Sequence, residues 1–376
     1  MTSGGRISMY IEPMQIARQA IETMMRKFCA EELPPKGRFH YHQGVFLSGV
    51  WNCGVLMNEN RYLDYVKAWV DARIDAQGRI SEYDPGQMDD IQPGILLFPL
   101  YERTGDKKYK LALDTLAPAV TAMPKNPDGG NWHKAWCERQ MWLDGLYMGG
   151  PILAEYGRKF DEPEYYDFVI KQVNLMRAHT RDPKTGLWYH AYDDARAQVW
   201  ADKRTGCSPE FWGRSVGWVA VALQDDLEFI PKTHPKHSEL VNIETDLLKS
   251  VAGYQSEEGR WYQVIDKGGY SGNWLENSCS CLFAAAFARA VLRGYLPMEY
   301  GRIARKAYNA VCASLDHDGE NLLVNNVCIG TGVGDYDFYI ARPTSVNDLH
   351  GVGAFLLMCA EIEKFSAFAR LQETAF

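Results

Sequence analysis

The sequence lacks any continuous apolar run of about 18 residues, the length that a membrane-spanning helix requires. Its first ten residues, MTSGGRISMY, contain no apolar stretch of the kind that a secretory signal carries. The nine cysteines are scattered and odd in number, which is typical of free thiols in a reducing compartment. These absences predict a cytoplasmic protein that does not enter a membrane.

An excess of positive charge is also missing, since the formal net charge is −8 at pH 7. Binding of nucleic acid without regard to sequence requires a basic face, so we expect no nucleic-acid partner. An anionic ligand would have to be bound by a local cationic pocket, because the field of the whole protein repels it.

The usual metal and phosphate motifs are absent. There is no HExxH, no pair of CxxC motifs and no EF-hand loop. Cys279 and Cys281 stand two apart within an apolar helix, so their side chains diverge and indicate packing. The segment GTGVGD at 330–335 lacks the GK[ST] of a phosphate loop and is interpreted as a flexible flap or turn. We expect no metal and no cofactor.

The sequence does contain a six-fold alternation of helical patterns. Six amphipathic segments have the apolar spacing of one helix face: 13–32, 61–75, 107–122, 164–180, 238–254 and 300–315. Each precedes a segment that is apolar on all sides, as a fully buried helix would be: 40–57, 90–101, 142–156, 214–229, 276–292 and 348–365.

An array of helix pairs can form an open solenoid or a closed ring. The all-round apolar second helices favour an inner ring enclosed by an outer one. We therefore predict an all-α fold, an (α/α)6 barrel, as one domain over residues 1–376. The N-terminal ends of the inner helices, with the loops before them, would then share one mouth.

Those loops carry interleaved aromatic and polar residues: FHYHQG, EYDPGQMDD, NWHKAWCERQMWLD, SPEFWGR, SGNWLENS and RPTSVNDLHG. Aromatic rings cover the C–H face of a sugar, and polar groups bind its hydroxyls, so such a mouth suits a carbohydrate. A further loop around residues 184–186 is predicted to form a hairpin-like excursion.

Asp144 is the leading candidate for a catalytic acid. It stands among Trp142, Tyr147, Met148 and several glycines, a setting in which desolvation would raise its pKa toward the range of a proton donor. The alternative is that it caps a buried helix. Asp89 and Asp90 supply a second carboxylate, with the similar alternative that one of them caps the helix after it.

Two cationic–aromatic clusters indicate an anionic ligand. His133 and Lys134 lie between tryptophans, and Arg214 is flanked by Trp212 and Trp218. Arginine binds carboxylates bidentately and stacks on aromatic rings. The alternative for each cation is a surface charge or a packing role.

Three further residues complete the predicted pocket. His190 would orient a hydroxyl or the catalytic carboxylate, or else serve as a structural histidine. Tyr41 and His42 open the first inner helix and are candidate contacts to the sugar ring and its hydroxyls.

Several long motifs in order resemble the unsaturated rhamnogalacturonyl hydrolases of glycoside hydrolase family 105, which are related to the unsaturated glucuronyl hydrolases of family 88. They are RQMWLDGLYMGGPILAEYG, SPEFWGRSVGW, SGNWLENSCSC, GTGVGDY and RPTSVNDLHGVGAF. The resemblance spans nearly the whole chain. It implies an (α/α)6 barrel, in agreement with the alternation of helices.

The resemblance also implies the chemistry. Enzymes of this family remove a 4,5-unsaturated galacturonyl residue from the non-reducing end of rhamnogalacturonan fragments by hydrating its C4=C5 bond. Asp144 would protonate C4 and then act as base toward the water that adds at C5. By the same resemblance, Asp89, His190, Tyr41 and His42 line the pocket. The substrate would be a small anionic oligosaccharide, and the protein a monomer or weak homo-oligomer.

Three other functions remain open. One is an unsaturated glucuronyl hydrolase acting on glycosaminoglycan disaccharides. Another is an (α/α)6 sugar epimerase, with His133 and His190 as an acid–base pair. The third is a helical scaffold without catalysis, for which Asp144 would be dispensable.

Overall fold

The computed structural model describes residues 11–374, and the side chains of residues 11–372. Its helices in chain order are α1 (Pro13–Lys27), α2 (Tyr41–Leu56), α3 (Asn60–Asp71), α4 (Leu97–Thr104), α5 (Lys107–Ala122), α6 (Asp144–Phe160), α7 (Glu164–Thr180), α8 (Gly213–Phe229), α9 (His237–Ala252), α10 (Asn277–Leu292), α11 (Gly301–Ala313), α12 (Tyr336–Ile340) and α13 (Leu349–Thr374).

Six of these helices form a closed inner ring. Helix α2 packs against α13, α13 against α10, α10 against α8 and α8 against α6. A 3-10 segment that leads into α4, Gln92–Leu96, contacts both α6 and α2 and so completes the circle. Helices α1, α3, α5, α7, α9 and α11 pack outside this ring. The predicted (α/α)6 barrel is therefore confirmed.

The two layers follow from side-chain pattern. Outer helix α11 buries Ala304, Ala307, Tyr308 and Val311, which share one face of a helix, and leaves the opposite face to solvent. Inner helix α10 is buried from Asn277 almost to its end, because helices surround it on every side. A continuous hydrophobic core runs from the first outer helix to the last inner one. The single domain over 1–376 stays a prediction.

The second inner element differs from the helix predicted at 90–101. Two 3-10 turns, Met88–Asp90 and Gln92–Leu96, precede a short α4. Pro93 lacks the N–H that a regular helix would use. Close packing also requires glycine here, since a Cβ on Gly94 would lie 2.6 Å from a methyl group of Leu116.

Short antiparallel strand pairs shape the loops at the mouth. Strand β1 (Gln140–Trp142) pairs with β2 (Ala191–Asp193). The other pairs are β3 (Trp261–Tyr262) with β4 (Leu275–Glu276), β5 (Asp316–Asp318) with β6 (Asn321–Leu323), and β7 (Val327–Cys328) with β8 (Thr344–Ser345).

The predicted hairpin-like loop at 184–186 is confirmed. Arg181 and Trp188 bridge across it, and Gly186 takes the positive φ of 74° that the turn requires. Within the described residues, no helix combines the length and apolar character needed to cross a membrane.

Candidate active site at the mouth of the barrel

The N-terminal ends of the inner helices meet at one mouth, as predicted. Tyr41 begins α2, Asp144 begins α6, Asn277 begins α10, and Arg214 lies in the first turn of α8. The N-terminus of a helix carries unpaired N–H groups and a partial positive charge, so several together favour an anionic ligand. This local field opposes the negative net charge of the chain.

Asp144 is fixed by the pairing of β1 with β2. The N–H of Leu143 donates to the carbonyl of His190 at 3.0 Å, which brings the two side chains together. His190 Nε2 then lies 3.0 Å from Asp144 Oδ2. Leu143, not Asp144, occupies the cap position of α6, so the capping alternative for Asp144 is not supported.

A tyrosine orients His190 from the other side. The hydroxyl of Tyr339 lies 2.6 Å from His190 Nδ1 and also accepts from the N–H of Gly334 at 3.3 Å. His190 and Tyr339 are both completely buried. Asp144, His190 and Tyr339 therefore form a hydrogen-bonded chain, which we call the acid chain, that leads from the mouth into the loop at 330–343.

The predicted rise in the pKa of Asp144 is wrong. Burial does raise the pKa of this carboxyl, but the hydrogen bond and electrostatic effect of His190, with smaller effects of His133 and Arg214, outweigh it. The pKa of Asp144 consequently lies below that of an ordinary aspartate, and without a ligand the carboxyl is ionised at neutral pH.

Asp89, and not Asp90, is the second acid at the mouth. Its oxygens lie 2.7 Å from Lys134 Nζ and 3.4 Å from His133 Nε2. Asp90 instead accepts from the guanidinium of Arg38 and from a backbone N–H, and burial raises the pKa of Asp90 to about 6. The structure thus distinguishes the surroundings of two adjacent acids, between which the sequence alone could not choose.

The predicted cationic cluster of His133 and Lys134 is neutralised by its own carboxylate. Lys134 is paired with Asp89, and burial lowers the pKa of His133, so the histidine carries no charge at neutral pH. These groups are placed to bind sugar hydroxyls. They offer an anion little free positive charge.

Trp142 is the aromatic face most open to the mouth. Its indole stacks on His133 at 4.6 Å between ring centroids and meets the edge of His190 at 5.7 Å. Trp212 is buried against Tyr339 and His190. Trp218 lies deeper in α8 and stacks on Tyr147 at 4.6 Å, which favours packing over ligand contact.

Arg214 holds the loop that covers the mouth. Its two terminal nitrogens donate to the carbonyls of Cys328 and Ile329, and its guanidinium lies 4.5 Å above the ring of Trp212. A Cβ on Gly330 would come within 3.9 Å of the Tyr41 hydroxyl, and one on Gly332 within 3.9 Å of Trp142. Segment 330–335 therefore lies over the mouth, while its predicted flexibility stays a prediction.

Tyr41 and His42 lie side by side beneath that loop. Their ring centroids are 4.2 Å apart, and burial raises the pKa of Tyr41, so its phenol stays neutral. His42 also faces His350 and Asp348 at the start of α13.

Sequence reasoning missed Tyr339, His350 and Asp348 as parts of the site. Asp348 and His350 stand in a loop that the sequence did assign to the mouth, RPTSVNDLHG, and this was the available signal. Tyr339 follows the glycine-rich segment and carried no signal of its own.

Residues 213–217, GRSVG, have the spelling of the GxSxG nucleophile elbow. The hydroxyl of Ser215 is completely buried in the first turn of α8 and donates to the carbonyl of Trp212 at 2.9 Å. The segment does not follow a parallel strand, so the match has no mechanistic meaning here.

A cavity of about 460 Å³ opens at the other end of the ring. Glu155, Asp225, Glu228, Arg293 and Glu361 line it from the C-terminal halves of the inner helices. The residues that line it include Tyr147, about one turn after Asp144, but not Asp144 itself.

A helical barrel whose mouth joins two carboxylates, histidines and an open tryptophan is typical of a glycoside hydrolase. The model of Glycosyl Hydrolase Family 88 matches residues 16–366, and the chain belongs to this family.

Relatives agree with this assignment. A solved glycoside hydrolase from family 105 of C. acetobutylicum ATCC 824 is 31% identical, with a TM-score of 0.87 over 93% of this chain and 99% of that one. The unsaturated rhamnogalacturonyl hydrolase YesR of Bacillus subtilis (strain 168) is 26% identical over 296 residues, 77% of this chain and 79% of that protein. The protein is thus a glycoside hydrolase with the unsaturated-glycoside activity of families 88 and 105.

The fold extends to more distant structures. The unsaturated glucuronyl hydrolase of Bacillus sp. GL1, responsible for the degradation of glycosaminoglycan, is 15% identical, with a TM-score of 0.70 over 94% of this chain and 96% of that one. At this identity the likeness concerns the barrel alone.

Proposed function

We propose that the protein releases the 4,5-unsaturated galacturonyl residue from the non-reducing end of rhamnogalacturonan oligosaccharides. The observation that carries the proposal is the acid chain, because it places one buried carboxylate with an attached proton relay at the mouth. The likeness to YesR supports galacturonyl-rhamnose as the substrate.

Asp144 acts first as acid and then as base. Its proton adds to C4, and the positive charge that develops at C5 is shared with the ring oxygen. A water molecule attacks C5 while the Asp144 carboxylate accepts one of its protons. The resulting hemiketal opens to a ketone, and the bond to the leaving sugar breaks with transfer of a proton to that sugar.

Substrate binding explains how an acid with a low pKa becomes protonated. The uronate carboxylate brings a second negative charge to the mouth, and like charge raises the pKa of Asp144. His190 is the hydrogen-bond partner of Asp144, since its Nε2 faces Asp144 and its Nδ1 faces the Tyr339 hydroxyl. Either ring nitrogen of His190 can carry its hydrogen. His190 can therefore donate to Asp144 when the carboxyl is ionised and accept from it when the carboxyl is protonated.

The remaining residues hold the sugar. Trp142 supplies the platform for the flattened unsaturated ring, and Lys134, Asp89 and His133 bind its hydroxyls. Tyr41 and Arg214 face the ring from the side of the covering loop. His42 stays a predicted contact, and its neighbours on the far side give it a second role, argued below.

The epimerase alternative receives no support from the geometry. An epimerase needs two histidines free to exchange protons across the sugar. His133 is held by Asp89, and His190 is held between Asp144 and Tyr339.

The test is the loss of ultraviolet absorbance that accompanies hydration of the conjugated double bond. Wild type should remove the ultraviolet absorbance of unsaturated galacturonyl-rhamnose. Asp144→Asn should lower the rate of this loss at least about a hundredfold, as is typical for a general acid. Asp128→Asn, at a surface carboxylate paired with His179, is the matched control and should keep the wild-type rate. Near-full activity of Asp144→Asn would refute the mechanism.

The same assay with an unsaturated chondroitin disaccharide tests the substrate. We expect a higher kcat/KM for galacturonyl-rhamnose. The reverse order would assign the protein to the glucuronyl hydrolases.

A further inference from the structure

Three ligand-type side chains converge at the edge of the mouth, where the first and last inner helices meet. His42 lies in the first turn of α2, and Asp348 and His350 stand at the start of α13. Asp348 Oδ1 is 2.8 Å from His350 Nδ1 and 3.9 Å from His42 Nε2. One oxygen of Asp348 and one nitrogen of each imidazole ring all lie within 4.8 Å of one another.

The hydrogen bonds of His350 direct a lone pair into this cluster. Its Nε2 lies 3.0 Å from the carbonyl of Cys328, which only accepts, so Nε2 must carry hydrogen. In the neutral ring Nδ1 is then unprotonated. Nδ1 is buried 2.8 Å from Oδ1 of Asp348. An unprotonated nitrogen at that distance from a carboxylate requires a cation, which is either a proton on Nδ1 or a metal ion bound by both groups.

His42 is oriented in the same way. Its Nδ1 lies 3.0 Å from His40 Nδ1, so one of the two nitrogens donates. The other nitrogen of His40 faces the carboxylates of Asp89 and Asp90 at 4.0 Å, and this side favours the hydrogen of His40. His42 is therefore the donor at Nδ1, and its Nε2 presents a lone pair to Asp348.

We propose that His42, Asp348 and His350 bind a divalent transition-metal ion such as Zn²⁺. Two imidazoles and one carboxylate are a common ligand set for such ions, and each imidazole has the outer hydrogen bond that fixes a metal-binding ring. Zinc bonds of about 2.1 Å in a tetrahedron place the ligand atoms about 3.4 Å apart. The observed distances bracket that value, so small ring rotations suffice.

The charges around the cluster set the strength of the site. Asp348 supplies one negative charge, and the cationic Arg214 acts on both Asp348 and His42. The guanidinium opposes the metal, and three protein ligands leave one position for water. We expect weaker binding than in a four-ligand structural zinc site. The site goes beyond the proposed hydrolysis and does not depend on it.

The metal would join α2 to α13 and close the inner ring at its seam. Thermal stability is therefore a readout that is separate from activity. Protein freed of metal with a chelator and then dialysed should bind one Zn²⁺ per chain by calorimetry, and its Tm should rise on addition of the ion.

Variants locate the site. Asp348→Asn and His42→Gln should each weaken Zn²⁺ binding at least about tenfold, the lower bound for loss of even an outer partner of a ligand. His179→Gln is the matched control, because His179 forms a two-residue pair with Asp128 at 2.6 Å and should bind Zn²⁺ as wild type does. If Asp348→Asn does not fold, His42→Gln and the visible spectrum of the Co²⁺ form decide.

The outcomes are distinct from those for hydrolysis. No binding of Zn²⁺ or Co²⁺ by the wild type, or binding unchanged in both cluster variants, would show Asp348 and His350 to be a plain ion pair. Equal loss in His179→Gln would show only surface binding and would equally overturn the proposal.

Discussion

His190 Nε2 lies 3.0 Å from Asp144 Oδ2, and this contact is what lowers the pKa of the carboxyl despite its burial. His190→Gln removes the imidazole that lowers the pKa of Asp144, so that pKa rises. Because a general acid must be protonated, the pH profile of kcat/KM should move to higher pH, with kcat reduced about tenfold or more. A profile that keeps its position would assign His190 to packing.

Arg214 donates hydrogen bonds to two carbonyls of the covering loop, so the shape of the guanidinium matters in addition to its charge. Arg214→Lys keeps the charge but loses the two-pronged contact. We expect both Arg214→Lys and Arg214→Ala to raise KM about tenfold, the equivalent of about 1.4 kcal/mol. Recovery of wild-type KM by lysine alone would show that charge is sufficient, and unchanged KM in both would assign Arg214 to structure.

Glu244 predicts a pH dependence of stability. It is completely buried in α9, where one oxygen accepts from Gln224 at 2.9 Å and the other has no partner. Burial raises the pKa of Glu244 to about 8. The unfolded pKa is about 4.3, so the folded state favours the protonated form, and stability is lost as pH rises between these two values.

Glu244→Gln cannot ionise and keeps the contact with Gln224. Its free energy of unfolding should fall less from pH 5 to pH 8 than that of wild type, by a difference on the order of 1 to 3 kcal/mol. Urea unfolding at several pH values measures this. Glu239→Gln, on the exposed face of the same helix, should follow the wild-type curve.

Trp136 lines a cleft next to the second acid loop, and we propose that this cleft binds the sugars beyond the first two. Trp136 is 60% exposed, and with Arg38 and Tyr83 it lines a cleft of about 480 Å³ beside Asp90. Given the proposed substrate, Trp136→Ala should raise KM about three- to tenfold for longer oligosaccharides, the scale of one ring contact. If the cleft binds only sugars beyond the first two, the disaccharide should keep its KM. An equal effect on both lengths would refute this role.

The helical layers were predictable because the apolar pattern within each helix indicates which of its faces are buried. The spacing of apolar residues in α11 and the all-round apolar character of α10 give their layers without any tertiary knowledge. The break before α4 has a local signal in Pro93, whereas the close packing of Gly94 against Leu116 on another helix could not be seen in the sequence.

The sequence indicated site residues that are close together in a motif, and it missed contacts between residues that are distant in sequence. Trp142 and Asp144 lie in one motif, whereas the partner of His190, Tyr339, is distant in sequence. The aromatic neighbours of Asp144 predicted a raised pKa, but the contact with His190 reverses its sign. Contacts of this kind decide charge, and local sequence does not contain them.

The seam between α2 and α13 has a consequence for synthesis of the chain. Synthesis proceeds from the N-terminus, so α13 emerges after the other helices of the inner ring, and domains generally fold as units. Until then α2 has no neighbour on one side, its apolar surface is exposed, and His42 lies at an open edge. The mouth therefore comes into being in a single late step, when α13 docks between α2 and α10. A nascent or truncated chain would carry Asp144 and His190 without a finished pocket, and would be prone to aggregate before it was able to act on a sugar.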